Sequence, residues 1–177
     1  MNDQNYTWHA VINGVPIELQ VPPARRLLDI LRTDLNMTGT KISCEVGRCG
    51  ACMVLLDGEA ANACLLMAYQ CEGRRITTIE GLMPDSEQLQ DHGETMGNLH
   101  PIQQAFVEEG GFQCGYCTPG MIMSTKALLD RNPSPSQEEI EEALCGNLCR
   151  CTGYGSIVRS VQKAAGLCSR QAEPAAK

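Results

Sequence analysis

The number and spacing of the cysteines constrain this chain more than any other feature of its sequence. Its 177 residues include 11 cysteines, a proportion typical of secreted disulfide proteins or of intracellular metal-binding proteins. The N-terminal residues are polar and carry neither the basic nor the apolar segment of an export signal. The pair Arg25-Arg26 is interpreted as the exposed face of a helix, because Asp29 and Arg32 interrupt the apolar residues that follow. We therefore expect a cytoplasmic protein with reduced thiols, in which metal binding is favoured over disulfide bonds.

The first cysteine group has the spacing C-x4-C-x2-C, followed further along the chain by a fourth cysteine. Its members are Cys44, Cys49, Cys52 and Cys64. This spacing is typical of plant-type [2Fe–2S] sites, in which four thiolates surround two irons and two shared sulfides. A short loop can supply three of these thiolates only if its backbone curls tightly, and Gly47 and Gly50 allow that curvature. Zinc and disulfide alternatives stay open, although a zinc site more often pairs two C-x2-C motifs.

The second cysteine group combines a C-x2-C pair with a C-x-C pair. Its members are Cys114, Cys117, Cys149 and Cys151. Cys117 immediately precedes a predicted helix start at Thr118, and the later pair lies between two predicted helices, so both pairs can meet at one end of the helical region. A cluster held by four thiolates is an anion, and helix N-termini stabilise anions by about 0.3–1 kcal/mol each. The spacing by itself fits either a second [2Fe–2S] cluster or a zinc ion.

The remaining sequence contains no motif for substrate or nucleotide chemistry. Three further cysteines, Cys71, Cys145 and Cys168, fall outside both groups, and we expect ordinary thiols there. The histidines do not pair with a cysteine or serine in a motif, and neither a G-x-G-x-x-G motif nor a P-loop is present. Two redox centres without such motifs indicate a one-electron relay between partners.

Charge and hydropathy exclude two broad classes of function. With 14 basic and 21 acidic residues the net charge is −7, whereas a nucleic-acid-binding protein needs a basic face to neutralise phosphates. The apolar stretches are interrupted within a few residues, so none predicts a membrane-spanning segment. A hydrophobic content of 43% is sufficient for a packed core.

The first half of the chain alternates strand and helix patterns around the first cysteine group. Asn13-Gly14 between two β-rich segments predicts a hairpin. Leucines at helical spacing predict a helix soon after it. The predicted strands are 6–12, 15–21, 53–56 and 75–79, and the predicted helices are 25–35 and 63–69. We assign residues 1–82 to a small α+β domain that holds the first cysteine group.

The second half of the chain is predicted to be helical. Residues 83–98 are polar and acidic, which is typical of a linker or surface excursion. Capping residues and a proline predict helix starts at four positions, Pro101, Thr118, Ser136 and Ser156. We therefore predict a linker over 83–98, an all-α four-helix bundle domain over 99–168 and a flexible tail over 169–177.

Three segments resemble the small iron–sulfur subunits of the molybdenum hydroxylase family, to which the xanthine oxidases belong. Residues 39–65, GTKISCEVGRCGACMVLLDGEAANACL, resemble its plant-type ferredoxin domain, which has a β-grasp fold. Residues 110–124, GGFQCGYCTPGMIMS, and 146–154, GNLCRCTGY, resemble its second-cluster domain. The resemblance extends from about Val11 to Ala165, and the two motifs together are far more specific than either alone.

The resemblance implies two [2Fe–2S] clusters, one on each cysteine group, and two partner subunits. The large subunit would hold molybdopterin, where substrate is hydroxylated with oxygen from water, and the medium subunit would hold FAD. Electrons would pass from molybdenum through both clusters to FAD, and on to NAD or another acceptor. The second group would lie nearer the molybdenum, with Gln113 and Cys151 approaching the pterin, and the first group nearer the flavin. Such heterotrimers are expected to form a higher oligomer, without nucleic acid or a membrane span.

The resemblance leaves the choice of substrate to the large subunit. Residues 39–52 and 153–160 are most similar to xanthine or purine dehydrogenase small subunits, whereas CGYCTPGMIM also resembles carbon monoxide dehydrogenase small subunits. We expect xanthine or another purine, with aldehydes, N-heterocycles and carbon monoxide as alternatives. A free-standing two-cluster carrier similar to a ferredoxin is a further alternative. The chain departs from the family in two places, since residues 83–98 are longer than the usual connection and Cys145 replaces a small residue.

Overall fold

One mixed β-sheet organises the first half of the chain. The computed structural model describes residues 6–82 and 99–172. Within them the sheet contains the strands β1 (Tyr6–Ile12), β2 (Val15–Val21), β3 (Met53–Leu56), β4 (Glu59–Asn62) and β5 (Arg75–Thr77). The strand order is β2-β1-β5-β3-β4; β1 and β5 run parallel, and all other neighbours run antiparallel. A helical turn, α1 (Leu27–Asp29), continues as a π-helical turn over Ile30–Asp34 and packs into the same core.

The β1–β2 hairpin forms where the sequence predicts it. Asn13 and Gly14 both adopt positive φ angles, 51° and 81°, as the favoured two-residue turn requires. Alternate residues of β1, including Trp8 and Ile12, are buried. The Trp8 indole N–H donates to the carbonyl of Ala68 at 2.9 Å. The hairpin therefore places one face in the core, as period-two alternation requires.

The helix predicted over 25–35 is shorter in the structure. Arg26 is extended, with φ −69° and ψ 139°, and forms a β-bridge with Met67. The helical turns consequently begin at Leu27 and end at Asp34. A contact that is distant in sequence, rather than local propensity, sets this boundary.

The segment predicted as a helix over 63–69 is mostly irregular. Only a 3-10 turn forms, at Ala68–Gln70. The carbonyl of Ala63 accepts from the Leu28 N–H at 3.1 Å, and the Ala63 N–H donates to the Cys52 carbonyl at 3.1 Å. These bonds to distant residues replace the helical hydrogen bonds and hold the fourth cysteine of the first group close to the loop that carries the other three.

Four helices lie in the described part of the second half. They are α2 (Pro101–Glu108), α3 (Thr118–Arg131), α4 (Gln137–Leu144) and α5 (Gly155–Ala172). The capping box predicted before α4 forms, since the Ser136 hydroxyl accepts from the Glu139 N–H at 3.2 Å and the Glu139 carboxylate accepts from the Ser136 N–H at 2.7 Å. The last helix continues to Ala172, past residue 169, where the tail was predicted to begin.

The helices share their core with the sheet. The apolar cluster of the second half includes Leu55 of β3 and Leu82. Its fully buried members on the helices are Ile102, Phe106, Met121, Met123, Ile140, Ile157 and Val161. A mixed sheet followed by helices is the α+β class that the sequence predicts.

Some predictions concern residues that the structure does not describe. The predicted linker 83–98 lies outside the described residues, as do 1–5 and 173–177. Within 6–82 and 99–172, no helix has both the length and the apolar character to cross a bilayer.

Candidate metal centres

Three members of the first cysteine group, Cys44, Cys49 and Cys52, lie on an irregular loop, residues 41–52, directly before β3, and Cys64 follows β4. Glu45, Gly47 and Gly50 have positive φ angles of 57°, 74° and 68°, which give the loop its tight curvature. A Cβ atom at Gly47 would lie 2.4 Å from Leu65 Cδ1, on the segment that carries the fourth cysteine. Glycine is therefore needed here both for backbone conformation and for close approach, as the sequence predicts.

The thiols of the first group approach one another in two pairs, Cys44 with Cys49 and Cys52 with Cys64. Hydrogen bonds from backbone N–H groups, that of Val46 foremost, lower the pKa of Cys44 to about 7. Burial raises the pKa of Cys52 to about 12. Cys44 is half-buried whereas the other three are buried, so Cys44 forms the open side of this group.

The second cysteine group is also arranged in pairs. Cys114 and Cys117 lie between α2 and α3, and Cys149 and Cys151 lie between α4 and α5. The Sγ atoms of Cys114 and Cys151 are 3.7 Å apart, and the thiols of Cys117 and Cys149 interact directly. Burial raises the pKa of Cys117 to about 12. The fold thus places each cysteine of the C-x2-C pair against one cysteine of the C-x-C pair. Cys114 and Cys151 are exposed.

The paired thiols fit an iron–sulfur cluster. A tetrahedral metal with metal–sulfur bonds of about 2.3 Å separates two thiolates by about 3.8 Å, close to the 3.7 Å between the Sγ atoms of Cys114 and Cys151. The cysteines of each group lie in pairs, and four thiolates divide in pairs between the two irons of a [2Fe–2S] cluster.

Cys149 is held by hydrogen bonds at both its sulfur and its backbone. The Thr152 hydroxyl donates to Cys149 Sγ at 3.2 Å. The Cys149 N–H donates to the Tyr154 hydroxyl at 2.9 Å, and that hydroxyl donates to the Asn147 carbonyl at 3.2 Å. Burial alone raises the pKa of Cys149, but the hydrogen bonds, with the Thr152 side chain foremost, lower it to about 7.

Backbone atoms join the two cysteine groups. The Leu148 N–H donates to the carbonyl of Cys49 at 2.9 Å, so a single hydrogen bond links a member of the first group to the residue before Cys149. The Asn147 side-chain amide, on a residue only 2% exposed, donates to the carbonyl of Gly50 at 3.3 Å. We call these two contacts the junction.

Helix α3 contacts both Gly50 and Asn147, the residues joined by one of the two contacts of the junction. A Cβ atom at Gly120 would lie 2.1 Å from the Gly50 carbonyl oxygen, so the helix and the loop touch through backbone. The Ser124 hydroxyl donates to Asn147 Oδ1 at 2.8 Å, which orients the amide. Gly120, Ser124 and Asn147 are not among the predicted site residues; the one signal in the sequence was a glycine inside a predicted helix.

Gln113 lies where a partner can reach it. It is exposed and adjacent to the exposed Cys114. Cys151, the other residue that the resemblance directs towards a pterin, is exposed and lies against Cys114. Phe112 and Tyr116, both exposed, give this surface an apolar component.

The three remaining cysteines differ in their surroundings. Cys71 is fully buried, and burial raises its pKa to about 11. Cys168 is half-buried, and burial raises its pKa as well. Cys145 is exposed at the end of α4.

The chain matches two protein families in succession. Residues 10–77 match the 2Fe-2S iron-sulfur cluster binding domain. Residues 78–162 match the [2Fe-2S] binding domain. One cysteine group falls within each match.

Proteins similar to this chain are components of oxidoreductases. A probable xanthine dehydrogenase subunit of Bacillus subtilis is 54% identical over 149 residues, which cover 84% of this chain and 79% of that protein. The nicotinate dehydrogenase small FeS subunit of Eubacterium barkeri is 44% identical over 158 residues, covering 89% of this chain and 94% of that protein. In the crystal structure of quinoline 2-oxidoreductase from Pseudomonas putida 86, a 39% identical chain superposes with a TM-score of 0.84, covering 97% of this chain and 99% of that one.

Proposed function

The chain belongs to the small iron–sulfur subunits of the molybdenum hydroxylase family, and we propose which of its residues hold the clusters and where electrons enter and leave. The chain binds two [2Fe–2S] clusters and is the electron-relay subunit of an oxidoreductase complex. Bound clusters of this type supply one-electron donor and acceptor chemistry. The residues of this chain hold them, separate them from solvent and connect them.

Two sets of four thiolates would hold the clusters. The first set is Cys44, Cys49, Cys52 and Cys64, and the second is Cys114, Cys117, Cys149 and Cys151. The pairs within each set suggest which thiolates share an iron. In the second set these would be Cys114 with Cys151 and Cys117 with Cys149, supported by the 3.7 Å contact and by the interaction of the inner thiols.

The junction is the single observation that most supports electron transfer between the two sets. One ligand of each set lies next to it, because the Leu148 N–H that donates to the Cys49 carbonyl belongs to the residue before Cys149. Cys114 and Cys151 are the exposed thiols of the second set, and Cys44 is the open side of the first. We propose that electrons enter through Cys114 and Cys151, cross the junction and leave beside Cys44.

The resemblance to the family supplies the proposed partners. A large subunit with molybdopterin would cover Gln113 and Cys151, and a medium subunit with FAD would cover the open side at Cys44. A higher oligomer of such heterotrimers is part of the proposal. We place the complex in the cytoplasm, because all eleven cysteines are free in the structure and iron–sulfur ligation needs reduced thiols.

The architecture proposed for the chain has two domains. Residues 1–82 would form a β-grasp ferredoxin-like domain, 83–98 a linker and 99–168 a four-helix bundle, whose last helix continues to Ala172 into the proposed tail 169–177. The mixed five-stranded sheet around the first set and the common core of α2–α5 support the two domains.

The proposed substrate is xanthine or another purine. The support is the 54% identity to the probable xanthine dehydrogenase subunit of Bacillus subtilis. The relatives named for nicotinate and quinoline keep N-heterocycles as the main alternative. The resemblance leaves the choice of substrate to the large subunit.

Native purification tests the proposal. The chain should co-purify with a flavoprotein and a molybdopterin protein and carry about four irons and four acid-labile sulfides. The reduced complex should give two distinct EPR signals. A colourless chain, or a brown one that purifies alone under gentle conditions, would contradict the proposal.

A further inference from the structure

The hydroxyl of Thr152 lies against a predicted ligand of the second cluster. Its Oγ1 atom is 3.2 Å from Cys149 Sγ. Across the described residues, backbone N–H groups also contact several predicted ligand thiols, Cys44 and Cys149 among them. The other contacts come from the Asn62 amide oxygen to Cys52 and from neighbouring cysteines. Thr152 therefore gives Cys149 a side-chain hydroxyl donor that the other seven thiols lack.

The single proton of this hydroxyl is directed at the sulfur. The Tyr154 N–H donates to Thr152 Oγ1 at 3.2 Å, so the oxygen already accepts a hydrogen bond from the backbone. Gly153 and Tyr154 both have positive φ angles, 65° and 67°, and this consecutive left-handed conformation turns the chain back over Thr152. The hydroxyl thus has one acceptor within reach for its own proton, the sulfur of Cys149.

The backbone of Cys149 is fixed independently. Its N–H donates to the Tyr154 hydroxyl at 2.9 Å, and that hydroxyl donates to the Asn147 carbonyl at 3.2 Å. Tyr154 therefore holds both the Cys149 backbone and, through its own N–H, the Thr152 hydroxyl. The hydrogen bonds of Tyr154 therefore fix the distance from Thr152 Oγ1 to Cys149 Sγ, and the Thr152 side chain is not free to change its rotamer.

We propose that Thr152 is a positioning residue that raises the reduction potential of the second cluster through its hydrogen bond to Cys149. Reduction adds negative charge to a cluster whose thiolates are already negative. A donor at a thiolate stabilises the reduced form more than the oxidised form, and hydrogen bonds to cluster sulfurs are among the groups that set the potential. This inference rests on the proposed function, because Cys149 must be a cluster ligand.

In the relay, a higher potential at the second cluster favours its reduction by the molybdenum end. The first set has a different source of stabilisation, since backbone N–H groups contact Cys44. Substitution at Thr152 should therefore change one cluster and leave the other as an internal reference.

The test compares Thr152→Val, which removes the hydroxyl and keeps the branched shape, with Thr152→Ser, which keeps the hydroxyl. Both are made in the complete complex, and the potentials of the two clusters are measured by EPR at controlled applied potentials. Thr125→Val is the matched control, since that buried hydroxyl donates to the Met121 carbonyl at 2.8 Å and contacts no predicted ligand. Iron content is measured for every variant.

Thr152→Val should shift the second-cluster potential to more negative values, so that the reduced-to-oxidised ratio at fixed applied potential falls roughly threefold to tenfold. Thr152→Ser and Thr125→Val should keep the wild-type potential, and the first cluster should not shift in any variant. An unchanged potential in fully loaded Thr152→Val, or an equal shift in Thr125→Val, would overturn the inference.

A second comparison applies if Thr152→Val does not hold the cluster. Thr152→Ala and Thr152→Ser are then measured together, and equal second-cluster potentials would also overturn the inference. A wild-type complex with only two irons per chain would contradict the proposed function instead, so the two failures are distinguishable.

Discussion

The eight predicted ligand thiols do not share one environment. Burial raises the pKa of Cys52 and of Cys117 to about 12, whereas hydrogen bonds lower the pKa of Cys44 and of Cys149 to about 7. Each set therefore combines an inner thiol enclosed by apolar residues with another that polar groups already stabilise as a thiolate.

At a single residue, Cys49→Ser should remove the first cluster and leave the second. We expect loss of one EPR signal and of about half the iron, because one of four thiolates is missing while the junction carbonyl remains. Flavin reduction by substrate should slow severely, although substrate still reduces molybdenum. Cys71→Ala is the control, since it removes a buried thiol outside both sets. Normal flavin reduction without the first cluster would show that the proposed electron order is wrong.

The cysteines outside both sets should differ in reactivity. Cys145 is exposed and should react with iodoacetamide in the loaded native protein, whereas Cys71, fully buried and with a raised pKa, should react only after unfolding. Peptide mass spectrometry after timed labelling measures both rates. Equal labelling in the native protein would contradict the packing around Cys71.

At the scale of elements, contact between α3 and the first loop decides how close the two sets lie. Gly120 is the point of contact, since its missing side chain admits the Gly50 carbonyl. A helix that begins directly after one ligand thus touches the loop of the other set, and its position affects both.

Gly120→Ala should separate α3 from the loop. A Cβ atom 2.1 Å from the Gly50 carbonyl cannot be accommodated without movement, so we expect a loss of stability of about 1–3 kcal/mol. Electron transfer between the clusters should also slow. Gly166→Ala in α5 is the matched control, because nothing lies within 4 Å of its Cβ position, and it should be stabilising by about 0.5–1 kcal/mol. Chemical denaturation and stopped-flow reduction measure the two effects; equal stabilities would contradict the contact.

The start of α2 should make stability depend on pH. His100 Nδ1 accepts the Ile102 N–H at 3.2 Å, and burial lowers its pKa below the ordinary 6.5. Below pH 6.5 the unfolded chain binds a proton at His100 that the folded chain does not bind. The free energy of unfolding therefore decreases as the pH is lowered, by at most about 1.4 kcal/mol per pH unit for this group. His100→Asn keeps a capping side chain and removes the titration. The difference in unfolding free energy between the two proteins should therefore change between about pH 7.5 and 5.5. It is measured at about pH 7.5, 6.5 and 5.5. A constant difference would contradict the proposed role of His100.

The elements that local sequence determines were the ones predicted correctly. The hairpin at Asn13-Gly14 and the capping box at Ser136 depend on neighbouring residues only. Strand β4 was missed because Glu59–Asn62 has no β-branched residue and forms by pairing with β3. The cysteine sets were visible as spacing, whereas the junction joins residues nearly one hundred positions apart in sequence, through backbone atoms and the Asn147 amide, and no local pattern contains such contacts.

At the scale of the whole molecule, the described residues form two apolar cores, and each set of thiols has an open side. Leu55 of the sheet belongs to the helical core, so the halves are packed together. The open side of the first set carries Val46, which is 62% exposed. Leu65, which follows Cys64 and lies against Gly47 of the loop, is 53% exposed as well, and exposed apolar residues grouped beside predicted ligands are expected of a docking surface.

Val46→Asp should weaken docking of the flavin subunit. We expect reduced co-purification of the flavoprotein and slower flavin reduction, with iron content unchanged, because a charge would be buried at the interface. Val15→Asp is the matched control, since Val15 is 57% exposed on β2 and is not part of either cysteine loop. An equal loss in both variants would contradict a specific role for the first loop.

The link between Cys49 and Leu148 is made of main-chain atoms, and this has an evolutionary consequence. The Leu148 side chain is 57% exposed and takes no part in the hydrogen bond. Nineteen of the twenty amino acids carry the required N–H, and only proline lacks it. Substitution of Leu148 by any residue except proline therefore keeps this hydrogen bond, so the side chain at this position can change in evolution without loss of the link between the two sets.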